Sequence, residues 1–156
     1  MAKLTLPERR VDKIFQQIDK DPKIKAKPDA IFLANGTEPH MDYSFFYVTG
    51  FTNGLFEGSA LVAKRSGQVS VFTSPLEEEI ARASGGNIEL YTEYKKVKEN
   101  LKVVGKNLKT VGISYQDLTL SSFKVLKSTL KGVKFVDIGS ALGLKKPRVC
   151  FSLLRF

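Results

Sequence analysis

Residues 59–72 read Ser-Ala-Leu-Val-Ala-Lys-Arg-Ser-Gly-Gln-Val-Ser-Val-Phe, in which two short β-rich runs flank a polar linker that contains a glycine. This arrangement is typical of an antiparallel β-hairpin with a Gly-bearing loop. On both sides of the hairpin, apolar runs alternate with segments of helical periodicity, which indicates strands joined by helices. A hairpin inside such an alternation predicts a mixed sheet, because an all-parallel sheet has no antiparallel neighbours.

The chain upstream of the hairpin predicts two helices and one strand. The first helix begins near Pro7 and ends before Asp21. Its apolar positions recur at helical spacing: Val11, Ile14, Phe15 and Ile18. Ala30–Ala34 is a continuous apolar run closed by an Asn-Gly turn, which predicts a strand buried on both faces. Residues 42–51 predict a short aromatic helix that ends at Gly50, because glycine readily adopts the left-handed conformation.

Downstream of the hairpin, three further strands are predicted at residues 88–91, 111–115 and 133–138. Helical spacing predicts helices over residues 76–82, 94–104 and 120–130, and the first of these has acidic residues in its opening turn. The sum is an α/β domain with a mixed sheet of about six strands, flanked by four or five helices.

Length and composition indicate one globular domain. The chain has 156 residues, of which 42% are hydrophobic and 26% are charged, as in ordinary globular proteins. Its single cysteine, Cys150, cannot form an internal disulfide. The sequence contains neither a membrane-spanning apolar run nor a secretory signal, so we expect a cytoplasmic protein with no membrane partner.

Positive charge is concentrated in one segment. The chain has 25 Lys+Arg and 16 Asp+Glu, which gives a net charge of +9. Residues 94–134 contain ten lysines, no arginine and two acids, so this segment alone carries +8. Lys124, Lys127 and Lys131 lie on a different arc of their predicted helix from its apolar residues, which predicts a solvated face. An acidic partner such as nucleic acid is the alternative reading of this charge.

Side chains for an active site within this chain are sparse. His40 is the single histidine and lies in a polar loop, where an exposed turn residue is the expected role and a catalytic role is the alternative. The acids at 77–79 are consecutive, so they point around a helix and do not converge on one ion. The sequence lacks a phosphate-binding glycine motif and a nucleophile elbow, and Cys150 has no evident base. We therefore predict no catalytic residue, metal or cofactor in this chain.

The aromatic segment is the remaining candidate for function. Five aromatic residues fall within nine positions, and a sixth follows shortly after: Tyr43, Phe45, Phe46, Tyr47, Phe51 and Phe56. One buried helical stripe does not use so many rings, so we expect some of them at the surface, where aromatic side chains often anchor contacts. The functional reading is a docking surface for another domain or a ligand, and core packing is the alternative.

Phe45-Phe46-Tyr47-Val48-Thr49-Gly50-Phe51 is followed by Glu57, by an apolar strand at 60–62 and by Val71-Phe72-Thr73-Ser74-Pro75. This series resembles the amino-terminal domain of the creatinase, prolidase and aminopeptidase P family. The order of elements from residue 11 to residue 138 looks like the same domain. The resemblance implies a mixed six-stranded sheet of ribonuclease H-like topology, with the domain extending over residues 1–144.

The resemblance also suggests two groups of functional residues. Four residues match the family's box and are expected to serve as framework or domain-docking positions: Tyr47, Thr49, Gly50 and Phe51. Four others are candidates for the mouth of an active site or for contacts with another domain: His40, Phe45, Phe46 and Glu57.

In complete family members, this domain precedes a larger "pita-bread" catalytic domain. There, two Asp, one His and two Glu hold a pair of divalent metals that activates water to cleave bonds before proline. The resemblance therefore implies a non-catalytic N-terminal domain that contributes dimerisation and substrate gating, with a second copy or a C-terminal catalytic domain as partner. The alternative is a separate peptide-binding, protein-binding or nucleic-acid-binding module derived from that domain.

Residues 145–156 depart from the family pattern. The family continues with a Glu-rich helix start, whereas this chain continues after Lys146-Pro147 with an apolar segment. We expect residues 145–156 to be an atypical tail or a truncated linker, and the catalytic domain to be absent from this sequence.

Overall fold

The computed structural model describes residues 4–38 and 40–143. The helices are α1 (Leu6–Lys20), α2 (Tyr43–Thr49), α3 (Glu78–Ala83), α4 (Val97–Val104), α5 (Leu120–Thr129) and α6 (Gly139–Leu142). Short 3-10 turns, Pro75–Glu77 and Tyr94–Lys96, lead into α3 and α4. The strands are β1 (Ala30–Ala34), β2 (Ala60–Lys64), β3 (Val69–Phe72), β4 (Ile88–Tyr91), β5 (Thr110–Ile113) and β6 (Lys134–Asp137).

The six strands form one mixed sheet in the order β4-β3-β2-β1-β5-β6. Strand β2 is antiparallel to both of its neighbours, β1 and β3, whereas the pairs β3–β4, β1–β5 and β5–β6 are parallel. Five strands therefore point in one direction and β2 points in the other. The predicted hairpin and the mixed sheet are both confirmed.

Two apolar cores lie on the two faces of the sheet. Helices α1, α2, α3 and α6 cover one face, where Ile14, Phe45 and Leu142 are buried. Helices α4 and α5 cover the other face, where Leu101 and Leu126 are buried. Strand β1 supplies residues to both cores, as predicted from its continuous apolar run.

Helix α1 begins and ends close to its predicted limits. Pro7 occupies the first turn, where a missing N–H costs nothing, and the backbone N–H of Thr5 donates to the carboxylate of Glu8 at 2.6 Å. The helix is tied to the hairpin because Arg65 pairs with Asp19 at 2.8 Å. The first two features define where α1 begins, and the ion pair attaches the helix to the hairpin.

The number of helices is higher than predicted. Helix α6 has four residues, too few to show a periodic apolar pattern, and it begins where the Asp137 carboxylate accepts from the Gly139 N–H at 3.0 Å. Within the described residues, none of the helices combines the length and the apolar character needed to cross a membrane.

Asp29 joins the beginning of β1 to the beginning of β5. Its carboxylate accepts from the backbone N–H groups of Lys109 and Thr110 at 2.8 and 3.0 Å. Its own N–H donates to the Thr110 carbonyl, and its carbonyl accepts from the Arg65 N–H. The hydrogen bonds from Lys109 and then Thr110 lower the pKa of Asp29 from its ordinary value, because they stabilise the ionised form.

We expect Asp29→Asn to lower the free energy of unfolding at neutral pH and to weaken the loss of stability in acid. Since the folded-state pKa is depressed, the carboxylate stabilises the fold above its unfolded-state pKa of about 3.9. That contribution disappears as the pH falls through the folded-state pKa. Urea unfolding at neutral pH and at about pH 3 measures the effect.

Asp12→Asn is the matched control, because the Asp12 carboxylate lies on the exposed side of α1 and accepts from the exposed Gln16 side chain at 2.8 Å. Between neutral pH and acid, the Asp12→Asn variant should lose as much free energy of unfolding as the parent chain. If the difference in the free energy of unfolding between the parent chain and Asp29→Asn is the same at both pH values, the assigned role of Asp29 is wrong.

Candidate functional site

Buried polar residues gather at one edge of the sheet. Strands β1, β3 and β5 end at this edge, and the oppositely directed β2 begins there. Four polar residues at these strand ends are almost completely buried: Asn35, Ser59, Thr73 and Ser114. Ligands of open α/β sheets bind beyond the carboxyl ends of the strands, so this carboxyl edge is the candidate site.

Asn35 organises the carboxyl edge. Its side-chain amide donates to the carbonyls of Leu55 and Phe56 at 3.0 and 2.9 Å. Its Oδ1 accepts from the N–H of Asp42 at 2.8 Å, and its backbone N–H donates to the Ser59 carbonyl at 2.7 Å. One side chain thus connects the end of β1 to the start of α2 and to the loop before β2. The sequence predicted only a turn at this position, so sequence analysis did not identify the hydrogen bonds by which Asn35 connects these segments.

The family box forms the end of α2. The Thr49 hydroxyl donates to the Phe45 carbonyl at 3.0 Å, and the Gly50 N–H donates to the Phe46 carbonyl at 2.9 Å. Gly50 has a φ of 72°, and a Cβ there would also lie 3.2 Å from the Leu6 side chain. The positive φ of residue 50 and the close approach of the Leu6 side chain both favour glycine.

Tyr47 connects α2 to α1. Its carbonyl accepts a hydrogen bond from the guanidinium of Arg10, which also lies 4.9 Å from the centre of the Tyr47 ring. Thr49 ends α2, Gly50 caps it and Phe51 is buried. The framework or domain-docking role of the four box residues stays a prediction.

The aromatic rings pack mainly on one another. Phe45, Phe51 and Phe56 are buried, and the rings of Phe51 and Phe56 stack at 4.3 Å. Phe46 and Tyr47 are half-buried against the same core. The expected surface aromatics are therefore half-buried rather than exposed. Phe51 and Phe56 follow α2 in the chain, and their rings pack against Phe45 of the helix.

Two other candidate residues, His40 and Glu57, are exposed at the carboxyl edge. The His40 N–H donates to the Thr37 carbonyl at 2.7 Å, which places the histidine in a turn as predicted. The Glu57 carboxylate accepts from the N–H of Glu38 at 3.4 Å. The loop before α2 and the loop before β2 therefore meet beside these two side chains.

The acidic run at 77–79 has divergent partners. Glu77 accepts from the Phe56 N–H at 3.1 Å, and Glu78 pairs with Arg82 at 2.6 Å. Over residues 4–38 and 40–143, no group of three or more His, Cys, Asp or Glu side chains is arranged to hold a metal ion. Cys150 lies outside the described residues. The expectation that this chain binds no metal or cofactor stays a prediction.

The lysine-rich segment lies at the surface. All ten lysines between residues 94 and 134 are exposed, including Lys124, Lys127 and Lys131, so the predicted solvated face is confirmed. Among the ion pairs of the described part of the chain, one involves these ten lysines: Lys96 pairs with Glu93 at 2.8 Å, and this contact raises the pKa of Lys96. Binding of an acidic partner to this face stays a prediction.

The mixed six-stranded sheet with helices on both faces defines an α/β domain. The Creatinase/Prolidase N-terminal domain family matches residues 25–143, and this chain belongs to that family. The resemblance drawn from the aromatic box is therefore confirmed. No curated protein sequence matches the chain significantly.

Solved structures share the fold. The X-Pro aminopeptidase from Thermotoga maritima has a TM-score of 0.68 and 19% identity, and the match covers 86% of this chain and 35% of that chain. The N-terminal domain of the cytoplasmic peptidase PepQ from Mycobacterium tuberculosis has a TM-score of 0.65 and 16% identity. The match covers 87% of this chain and 97% of that chain. The prolidase from Pyrococcus horikoshii has a TM-score of 0.62 and 21% identity. The match covers 86% of this chain and 33% of that chain.

The chain thus spans about a third of the length of the aminopeptidase and of the prolidase. It spans nearly the whole of the solved N-terminal domain. At these identities, the similarity confirms the predicted α/β fold.

We expect Asn35→Ala to lower the free energy of unfolding by about 2–3 kcal/mol, because the change leaves buried carbonyls and an N–H group without their partner. Asn53→Ala is the control, since Asn53 is exposed in the same loop region. Urea unfolding of both variants measures the difference. Equal stability of the two variants would contradict the central role of the Asn35 amide.

Proposed function

We propose that this chain acts as the non-catalytic N-terminal domain of a proline-specific metallopeptidase and contributes dimerisation and substrate gating. The observation that carries the proposal is the family match over residues 25–143. It is supported by structural similarity to an X-Pro aminopeptidase and to the N-terminal domain of an Xaa-Pro dipeptidase from Lactobacillus brevis. In this proposal, the divalent metal pair belongs to a C-terminal catalytic domain and not to this chain.

The construction of the carboxyl edge is suited to gating. Side chains that limit access to a neighbouring active site must be held in fixed positions, because a mobile loop would yield to the substrate. Asn35 fixes both loops of the edge through hydrogen bonds to Asp42, Leu55 and Phe56. The exposed side chain of Glu57 lies on one of these loops and that of His40 on the other. These two residues are the proposed gating positions.

Two exposed leucines, called here the Leu55 and Leu76 surface, support the proposed dimerisation. Leu76 is 91% exposed and Leu55 is 55% exposed. The Glu77 carboxylate accepts a hydrogen bond from the Phe56 N–H, so the segments that carry the two leucines are in contact. Exposed large apolar side chains of this kind are candidates for a protein contact.

The proposal predicts no Xaa-Pro cleavage by the isolated chain. The assay follows hydrolysis of Ala-Pro and of Ala-Pro-Ala by the purified 156-residue chain in the presence of Mn²⁺. A complete X-Pro aminopeptidase assayed in parallel provides the positive control. Cleavage that disappears in a His40→Ala variant would overturn the non-catalytic assignment.

We expect the chain to form a dimer through the Leu55 and Leu76 surface. Sedimentation velocity over a range of concentrations should show a concentration-dependent dimer, and Leu76→Lys should shift it to monomer by burying a charge in the contact. Leu120→Lys is the matched control, because Leu120 is 67% exposed at the start of α5. A monomer at all concentrations, or equal effects of both substitutions, would contradict this interface.

A further inference from the structure

A groove with a volume of about 440 Å³ opens at the carboxyl edge, between the sheet and helices α4 and α5. Its lining includes Phe32 of β1 and Phe72 of β3 from the sheet, with Val97 and Leu101 of α4 and Val125 of α5 from the helices. Pockets for small molecules typically have volumes of about 300–1,000 Å³ and largely apolar walls. The size and the lining of this groove both fall in that class.

The groove exists because two small residues face each other in the sheet. Ala34 of β1 and Ala60 of β2 are cross-strand partners, and both line the groove. Neighbouring large residues such as Phe72, which pairs with Ala60 on its other side, are buried and cannot move into the space without leaving the core. The pair of alanines therefore leaves a permanent depression over the sheet.

A buried pair of hydroxyl groups provides a hydrogen-bond donor to the groove. The hydroxyl oxygens of Ser59 and Thr73 are 2.7 Å apart, and both residues line the groove. The two hydroxyl groups have two hydrogens, of which their mutual hydrogen bond uses one. Their mutual contact therefore leaves one hydroxyl hydrogen that can be donated elsewhere. The pair can donate this hydrogen to an oxygen atom of a ligand.

A cationic side chain borders the groove. Lys98 lines it and is exposed, and Lys102 follows one turn later on α4. Both belong to the segment of residues 94–134 that carries +8 of the net charge of +9. A field of one sign around a cleft with apolar walls raises the local concentration of ligands of the opposite charge. The charge and the walls together select a ligand that is apolar and anionic.

We propose that this groove binds a small hydrophobic carboxylate, such as an aromatic or a branched aliphatic acid. The apolar body of the acid lies against the rings of Phe32 and Phe72. Its carboxylate accepts the second hydroxyl hydrogen of the Ser59–Thr73 pair, and Lys98 neutralises its charge. This site is separate from the proposed dimer surface and does not depend on the proposed function.

The first test is an NMR titration of the complete 156-residue chain, labelled with ¹⁵N, with 4-phenylbutyrate and with its neutral amide at low ionic strength. We expect saturable shifts of the Ser59 and Thr73 amide signals with the acid, and a dissociation constant at least about fivefold larger for the amide. Equal affinity for the acid and the amide, or shifts that do not saturate, would overturn the proposal.

The second test uses two pairs of variants. Val125→Trp places a large ring at the groove and should weaken binding of the acid by about tenfold. Val103→Trp, at a 67% exposed position of α4 that does not line the groove, should leave binding unchanged.

The second pair tests the charge. Lys98→Gln should reduce the affinity for the acid to that for the amide, and Lys131→Gln should not. Lys98 is exposed, so its replacement does not disturb the core and provides a test even if Val125→Trp fails to fold. Parental affinity in Lys98→Gln would overturn the proposal.

Discussion

The two-sided burial of β1 is the constraint on which the rest of the structure depends. Its first four residues, Ala30 to Leu33, are all buried, so helices must cover both faces of the strand. That requirement places α1 and α2 on one side and α4 and α5 on the other. It also fixes β1 inside the sheet, between β2 and β5, because an edge position would leave one row of its backbone groups unpaired.

The same burial explains the character of the carboxyl edge. Where β1 ends, the chain is still buried. Its backbone N–H and C=O groups therefore need hydrogen-bond partners within the protein. The Asn35 side chain supplies several of these partners, and the Ser59–Thr73 hydroxyl pair lies where β2 begins and β3 ends. Buried polar side chains therefore gather where the sheet opens to solvent. The candidate site lies at this edge because of how the strands end.

Much of the fold could be predicted from the sequence because its signals are local. The hairpin at 59–72, the buried run Ala30–Ala34 and the stop at Gly50 depend on residues that are close together in the chain. The role of Asn35 depends on Leu55 and Phe56, about twenty positions away, and sequence periodicity does not report such pairings. For the same reason, the burial of the aromatic rings was predicted only in part. The box residues were placed through a family resemblance, and their functional roles, with those of His40 and Glu57, stay predictions.

The outer strands of the sheet determine how copies of this domain can associate. Among residues 4–38 and 40–143, β4 and β6 each pair with one strand, so each presents unpaired backbone groups along its other side. Strand β6 begins with Lys134 and ends with Asp137, and β4 carries Glu89. Charged side chains on such strands oppose the addition of further strands from other molecules. These charges therefore oppose growth of the sheet into fibrillar aggregates.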